Sequence, residues 1–173
     1  MKKSLVIAMC CITVLFAACK KEKPYEKFIG NYEGACLVDA TITIDNPVFP
    51  GSSTNQDFNN INMPIEATVS AGDADNKLVM TCKFENQNET YSIAGTINKD
   101  QVTFDTYTIN QTINESQFSG TINATLNMTG TLVNNVLSLT GNLSGTGTTA
   151  LLDVPFDIMG NMTGTLNKLT TTN

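Results

Sequence analysis

The chain has 173 residues, is 41% hydrophobic and carries a formal charge of −6, with no arginine, histidine or tryptophan. An acidic chain without arginine argues against nucleic-acid binding, which depends on neutralising phosphates, and lacks the forked donor that grips carboxylates and phosphates at two points. The lack of histidine removes Ser–His and Cys–His nucleophile pairs and histidine metal sites.

The first element is residues 1–18. Lys2 and Lys3 give a positive start, Leu5 to Phe16 a short apolar run, and Ala17-Ala18-Cys19 a small-residue ending. That layout predicts a secretory signal, too short to be a stable transmembrane span. Residues 19–27 follow as a charged tether, with Lys20, Lys21, Lys23 and Lys27 placed to lie near anionic headgroups. Without Lys2 and Lys3 the mature charge is −8, and without the tether the domain at 28–173 carries −10.

Apolar and polar residues alternate along eight successive stretches of that domain, which predicts strands with one dry and one wet face. The first runs over Phe28 to Ile44 with its even positions inward. A long polar loop is expected near Asp45 to Asn60. Strand two covers about Ile61 to Ala71, with Ile65, Ala67 and Val69 inward. Strand three carries Leu78, Met80, Cys82 and Phe84; strand four carries Tyr91, Ile93, Gly95 and Ile97. Strand five starts with Val102 and Phe104, then its parity flips to Tyr107 and Ile109. The flip predicts a bulge near Asp105-Thr106.

Strands six and seven can be registered. Asn134-Asn135 suits a two-residue hairpin turn, because asparagine tolerates positive φ. Val133 then faces Val136, Leu132 faces Leu137, Gly130 faces Leu139, Met128 faces Gly141, and Leu126 faces Leu143. A slip of one residue would turn Leu139 and Leu143 to water. By the same logic Gly95 faces Phe104. The last strand presents Val154, Phe156, Ile158, Gly160, Met162, Gly164 and Leu166 on one face.

Nine of the twelve glycines fall on the apolar parity. Glycine there implies sharp curvature or interior room. Eight mostly hairpin-connected strands predict an all-β, antiparallel up-and-down barrel, since closure removes free edges. A two-sheet β-sandwich is the alternative. Cys36 and Cys82 point inward on strands one apart, which favours two free thiols over a disulfide.

Two resemblances add to this reading. Ala17-Ala18-Cys19 resembles the lipobox of bacterial lipoproteins, although Phe16 stands where leucine is usual. The resemblance implies that Cys19 is lipidated and becomes the mature N-terminus; an ordinary cleaved signal is the other reading. The residue after Cys19 is not Asp, so the inner-membrane retention mark of enteric lipoproteins is missing, and the charged run resembles the surface-export signals of Bacteroidota lipoproteins. Phe28-Ile29-Gly30-Asn31-Tyr32-Glu33-Gly34 resembles the first strand of calycin-like barrels in Bacteroidota lipoproteins, and more distantly the lipocalin start, Gly-x-Trp. Gly30 and Tyr32 match the glycine and the aromatic; the lipocalin arginine has no counterpart here.

No catalytic or metal constellation emerges, and no cofactor is expected. Asp39, Asp105 and Asp157 are predicted outward. Asp73, Asp75 and Asn76 lack the spacing and closing glutamate of an EF-hand. Val48, Phe49, Phe58 and Ile61 are apolar residues in the first loop. The expectation is that Phe49 or Phe58 caps an apolar cavity lined by Tyr32, Ile42, Met80, Phe104, Met128, Phe156 and Met162, with flexible methionines suited to an adaptable pocket. The alternative is a dry, filled interior. The resulting expectation is a non-enzymatic outer-membrane lipoprotein of the cell envelope, periplasmic or surface-exposed and held to the membrane through Cys19. It would bind a small apolar or amphipathic ligand. The competing expectation is an inhibitor or protein-interaction module that uses its outer face and loops.

Overall fold

The computed structural model describes residues 23–45, 51–85, 90–114, 119–149 and 154–170. The described residues form nine strands: β1 (Gly30–Asp45), β2 (Ser53–Ala71), β3 (Lys77–Phe84), β4 (Thr90–Asn98), β5 (Gln101–Phe104), β6 (Tyr107–Asn114), β7 (Ser119–Val133), β8 (Val136–Thr149) and β9 (Pro155–Lys168). They make one antiparallel sheet in the order β5-β4-β3-β2-β1-β9-β8-β7-β6, and β5 also pairs with β7. That last pairing closes a ring of hydrogen bonds through eight strands. The fold is therefore all-β and barrel-like, with one continuous sheet in place of the two-sheet alternative.

The ninth strand comes from the parity flip. Val102 and Phe104 on β5 are buried, and Tyr107 and Ile109 on β6 are half-buried on the opposite parity. Asp105 and Thr106 interrupt the strand between them. The expected fifth strand is thus two segments that share one edge of β7: β5 pairs with Thr129–Thr131, and β6 with Leu126 back to Ser119.

The registered hairpin forms with Val133 opposite Val136, Gly130 opposite Leu139, Met128 opposite Gly141 and Leu126 opposite Leu143. Asn134 and Asn135 take φ of 50° and 64°, which two-residue hairpins with right-handed strand twist require. Gly95 faces Phe104 as expected. Gly147 also points inward, a position the parity count misses, and the ring of Phe156 covers it.

The expected loop from Asp45 to Asn60 is corrected. Its residues from Ser53 onward belong to β2 and pair with Asp45 back to Ala40 on β1. The backbone edge of β1 supplies a partner where the side chains give no alternation, because this half of β2 is exposed on both faces apart from Phe58. Opposite Asp39, β2 carries one extra residue. Asn60 sits at φ 56° and its N–H donates to the Asp39 carboxylate at 2.7 Å. The resulting bulge reverses the facing of everything before it and turns Phe58 inward.

One end of the ring is tightly filled. A turn at 24–27 places Phe28 in the core, fully buried, where burial of such a ring stabilises by roughly 1.5–3 kcal/mol. Phe28 packs with Tyr32, Val69, Leu78, Ile97, Val102, Leu137 and Leu166. A second, smaller cluster at the far end holds Ile42, Ala124, Phe156 and Ile158, with Phe58 packed against it.

Candidate functional site

Between the two clusters lies a cavity of about 1120 Å³ that opens through the wall. Its origin is the same break at Asp105-Thr106. Near the filled end, β5 bridges β4 and β7: Gly95–Asn98 pair with β5, and the Asp105 N–H donates to the Ala94 carbonyl at 2.8 Å. Beyond Ala94 the two sides part. β4 from Thr90 to Ile93 pairs only with β3, and β6 pairs only with β7, among the described residues. Tyr91 on β4 and Tyr107 on β6 meet edge to face across the parting, with ring centroids 6.2 Å apart. Phe84 lies 5.9 Å from Tyr91, so three aromatic rings frame the opening.

The cavity wall is apolar and rich in sulfur. Met63, Met80, Met128 and Met162 line it, with Cys36, Cys82, Val38, Ile65 and Ile93. Thr108, Asn110, Gln111 and Thr112 on β6 add hydrogen-bonding groups, and among the described residues no charged side chain lines it. Unbranched methionine adapts to the shape of what it touches. An apolar concavity with a few polar groups at one border suits a molecule with an oily body and an uncharged polar part.

Cys36 and Cys82 are free thiols on β1 and β3. Burial pushes the Cys36 thiol up to about 11. Burial, and then the nearby Cys36, pushes Cys82 up to about 12. Both stay protonated at neutral pH and behave as small apolar groups, not nucleophiles. No group of three or more Cys, Asp or Glu side chains able to hold a metal ion occurs among the described residues.

The expected pocket residues divide into three groups. Met80, Met128 and Met162 line the cavity. Tyr32 lies instead in the filled end, where its hydroxyl donates to the Phe28 carbonyl at 2.7 Å. Phe104 is buried in the same cluster and borders a shallower 570 Å³ depression on the outer wall. Ile42, Phe156 and Phe58 belong to the far cluster, so Phe58 is a strand residue packed inside and not a loop lid. Phe49 and Cys19 lie outside the described residues.

Sequence reading missed Tyr91, Ile93, Phe84 and the β6 residues Tyr107 to Thr112 as cavity-lining groups. The parity flip was the available signal. It marks where the wall splits, so the residues on either side of it had to border any opening.

The fold and this site define a barrel-like, all-β protein with a side-opening apolar cavity. No protein-family model matches the chain, and no curated protein matches it. Among solved structures it is similar to a protein of unknown function of the DUF3598 family from Nostoc punctiforme PCC 73102, at 12% identity and a TM-score of 0.34 over 83% of this chain. The chain spans 48% of that protein's length. It is also similar to an S-type phycobiliprotein lyase from Guillardia theta, at 6% identity and a TM-score of 0.32, covering 86% of this chain and 92% of that one.

Proposed function

We propose that the protein is a non-enzymatic lipoprotein of the cell envelope that holds a small apolar or amphipathic molecule in its side-opening cavity. The cavity carries this reading: about 1120 Å³, walled by apolar and thioether side chains and bordered by uncharged amides and hydroxyls. The leader and Cys19 support an outer-membrane lipid anchor of the kind found in Bacteroidota lipoproteins. The lack of histidine, and the described carboxylates, none of which lines the cavity, support a binding role over catalysis.

The test is binding of an environment-sensitive apolar dye, with displacement by long-chain alcohols and monoacylglycerols. Saturable dye binding that Val38→Phe weakens supports the reading, because Val38 lines the cavity and a larger ring there takes up its space. Dye binding that is absent, or unchanged in Val38→Phe, contradicts it.

A second reading rests on the outer edge of β6. Among the described residues β6 pairs with β7 alone. A partner's extended segment could add a strand there. In that case the protein is an interaction module, and a stoichiometric protein partner replaces the small molecule.

A further inference from the structure

We infer that the filled end of the ring is the face that rests on the bilayer, with anionic headgroups as its partner, and that the cavity opening is held away from that surface. The inference deepens the lipid-anchor reading and rests on it.

Charge is distributed unevenly between the two ends. Of the six described lysines, Lys23, Lys27, Lys77, Lys99 and Lys168 all lie at the filled end, and only Lys83 lies elsewhere. Backbone hydrogen bonds bring these segments together. The β2–β3 turn accepts from Ile97, the β4–β5 turn at Asp100 accepts from Leu132, and Lys168 donates to Asn135. Lys23 pairs with Asp75 at 2.9 Å, Lys27 pairs with Asp100, and the Lys168 ammonium donates to the Lys27 carbonyl. Four carboxylates share this end: Glu26, Asp73, Asp75 and Asp100. The eight other described carboxylates, Glu33, Asp39, Asp45, Asp57, Glu66, Glu85, Asp105 and Asp157, lie on the walls and toward the far end. The filled end is therefore slightly positive and the remainder strongly negative. An anionic surface attracts the first and repels the second, within a Debye length of about 8 Å at physiological salt.

Two further observations point the same way. Three of the six exposed large apolar residues among those described, Ile29, Val133 and Leu169, sit at this end, and the other three, Leu37, Ile61 and Met159, are spread along the walls. The Leu169 N–H donates to Asn31 and the Ile29 N–H to Tyr25, which fixes their segments there. The tether also starts here. Four residue steps separate Cys19 from Lys23, a reach of at most about 14 Å. An acylated Cys19 therefore keeps the filled end close to headgroups. The opening begins near Leu126, seven residues along β7 from Val133, roughly 23 Å of strand farther out. The ligand then exchanges with the aqueous side or with a partner, and not with the bilayer that carries the anchor.

The experiment uses the full chain, acylated in a bacterial host, in vesicles of phosphatidylethanolamine and phosphatidylglycerol that contain nitroxide-labelled lipid. Bimane is attached at Val133→Cys or at Asp45→Cys; the unsubstituted protein controls for labelling of Cys36 and Cys82. The expected result is loss of bimane fluorescence at 133 and none at 45, with the loss at 133 reversed by Lys99→Glu with Leu169→Glu. Equal loss at both sites, or loss at 45 alone, overturns the inference. The intact mass separates the two claims. Acylated protein with the wrong quenching pattern sinks the orientation alone, whereas protein without acyl chains sinks the anchor reading and the orientation with it.

Discussion

The hydroxyl of Tyr32 donates to the carbonyl oxygen of Phe28 at 2.7 Å, in the filled end of the ring, where both residues are at most 1% exposed. The bond ties the N-terminal turn to β1 and satisfies a polar group that water does not reach. Tyr32→Phe removes the donor and leaves that carbonyl without it. The expected loss is about 1–3 kcal/mol of stability, read as a lower urea midpoint at unchanged slope.

Alkaline pH should destabilise the fold in a defined window. Burial raises Tyr32 from 10.0 to about 12, Cys36 from 9.0 to about 11 and Cys82 from 9.0 to about 12. Each group holds its proton longer in the folded chain than in the unfolded one. Between those values the folded state binds more protons, so stability falls as pH rises. Denaturant midpoints should hold level through neutral pH up to about 9, then drop between 9 and 12. Cys36→Ala with Cys82→Ala should move the onset of the drop to about 10, where free tyrosine begins to ionise.

Two glycines on the same face should respond differently to alanine. A Cβ on Gly34 would collide with the carbonyl oxygen of Thr165, which belongs to the neighbouring backbone. A Cβ on Gly141 would meet the Asn127 carbonyl oxygen at 3.1 Å, a contact relieved by a shift of a few tenths of an ångström, and otherwise the movable ends of Leu126 and Met162. Gly34→Ala should cost about 3 kcal/mol, and Gly141→Ala less than about 1. Thermal melts of the two variants compare them directly.

The hairpin of β7 and β8 was legible residue by residue because both of its faces are marked. Leu139 and Leu143 leave one workable register, and Asn134-Asn135 sets the turn. The outer half of β2 was illegible for the opposite reason. Ser53 to Asp57 is exposed on both faces, and its strand form comes from the edge of β1, a long-range partner that local pattern does not encode. The cavity was half legible. Its methionines follow from parity, whereas Tyr32, Phe104, Ile42 and Phe156, which share that parity, lie in the packed clusters and outside the cavity lining. Parity tells inward from outward, and it does not tell a filled end from an open middle.

The thiols of Cys36 and Cys82 give a local probe of the cavity, since both line it. At neutral pH a thiol reagent should modify them slowly in the native protein and rapidly in denaturant. Occupation of the cavity by an apolar ligand should slow the native reaction further. Unchanged rates with saturating ligand would place that ligand elsewhere.

Native mass spectrometry of the protein extracted from the cells that make it reads the contents of the cavity most directly. The expected spectrum shows the acylated chain with one small, lipid-sized molecule attached, and that added mass disappears in Val38→Phe. A spectrum that shows the bare acylated chain alone, or the chain in stoichiometric complex with another protein, contradicts a ligand carrier.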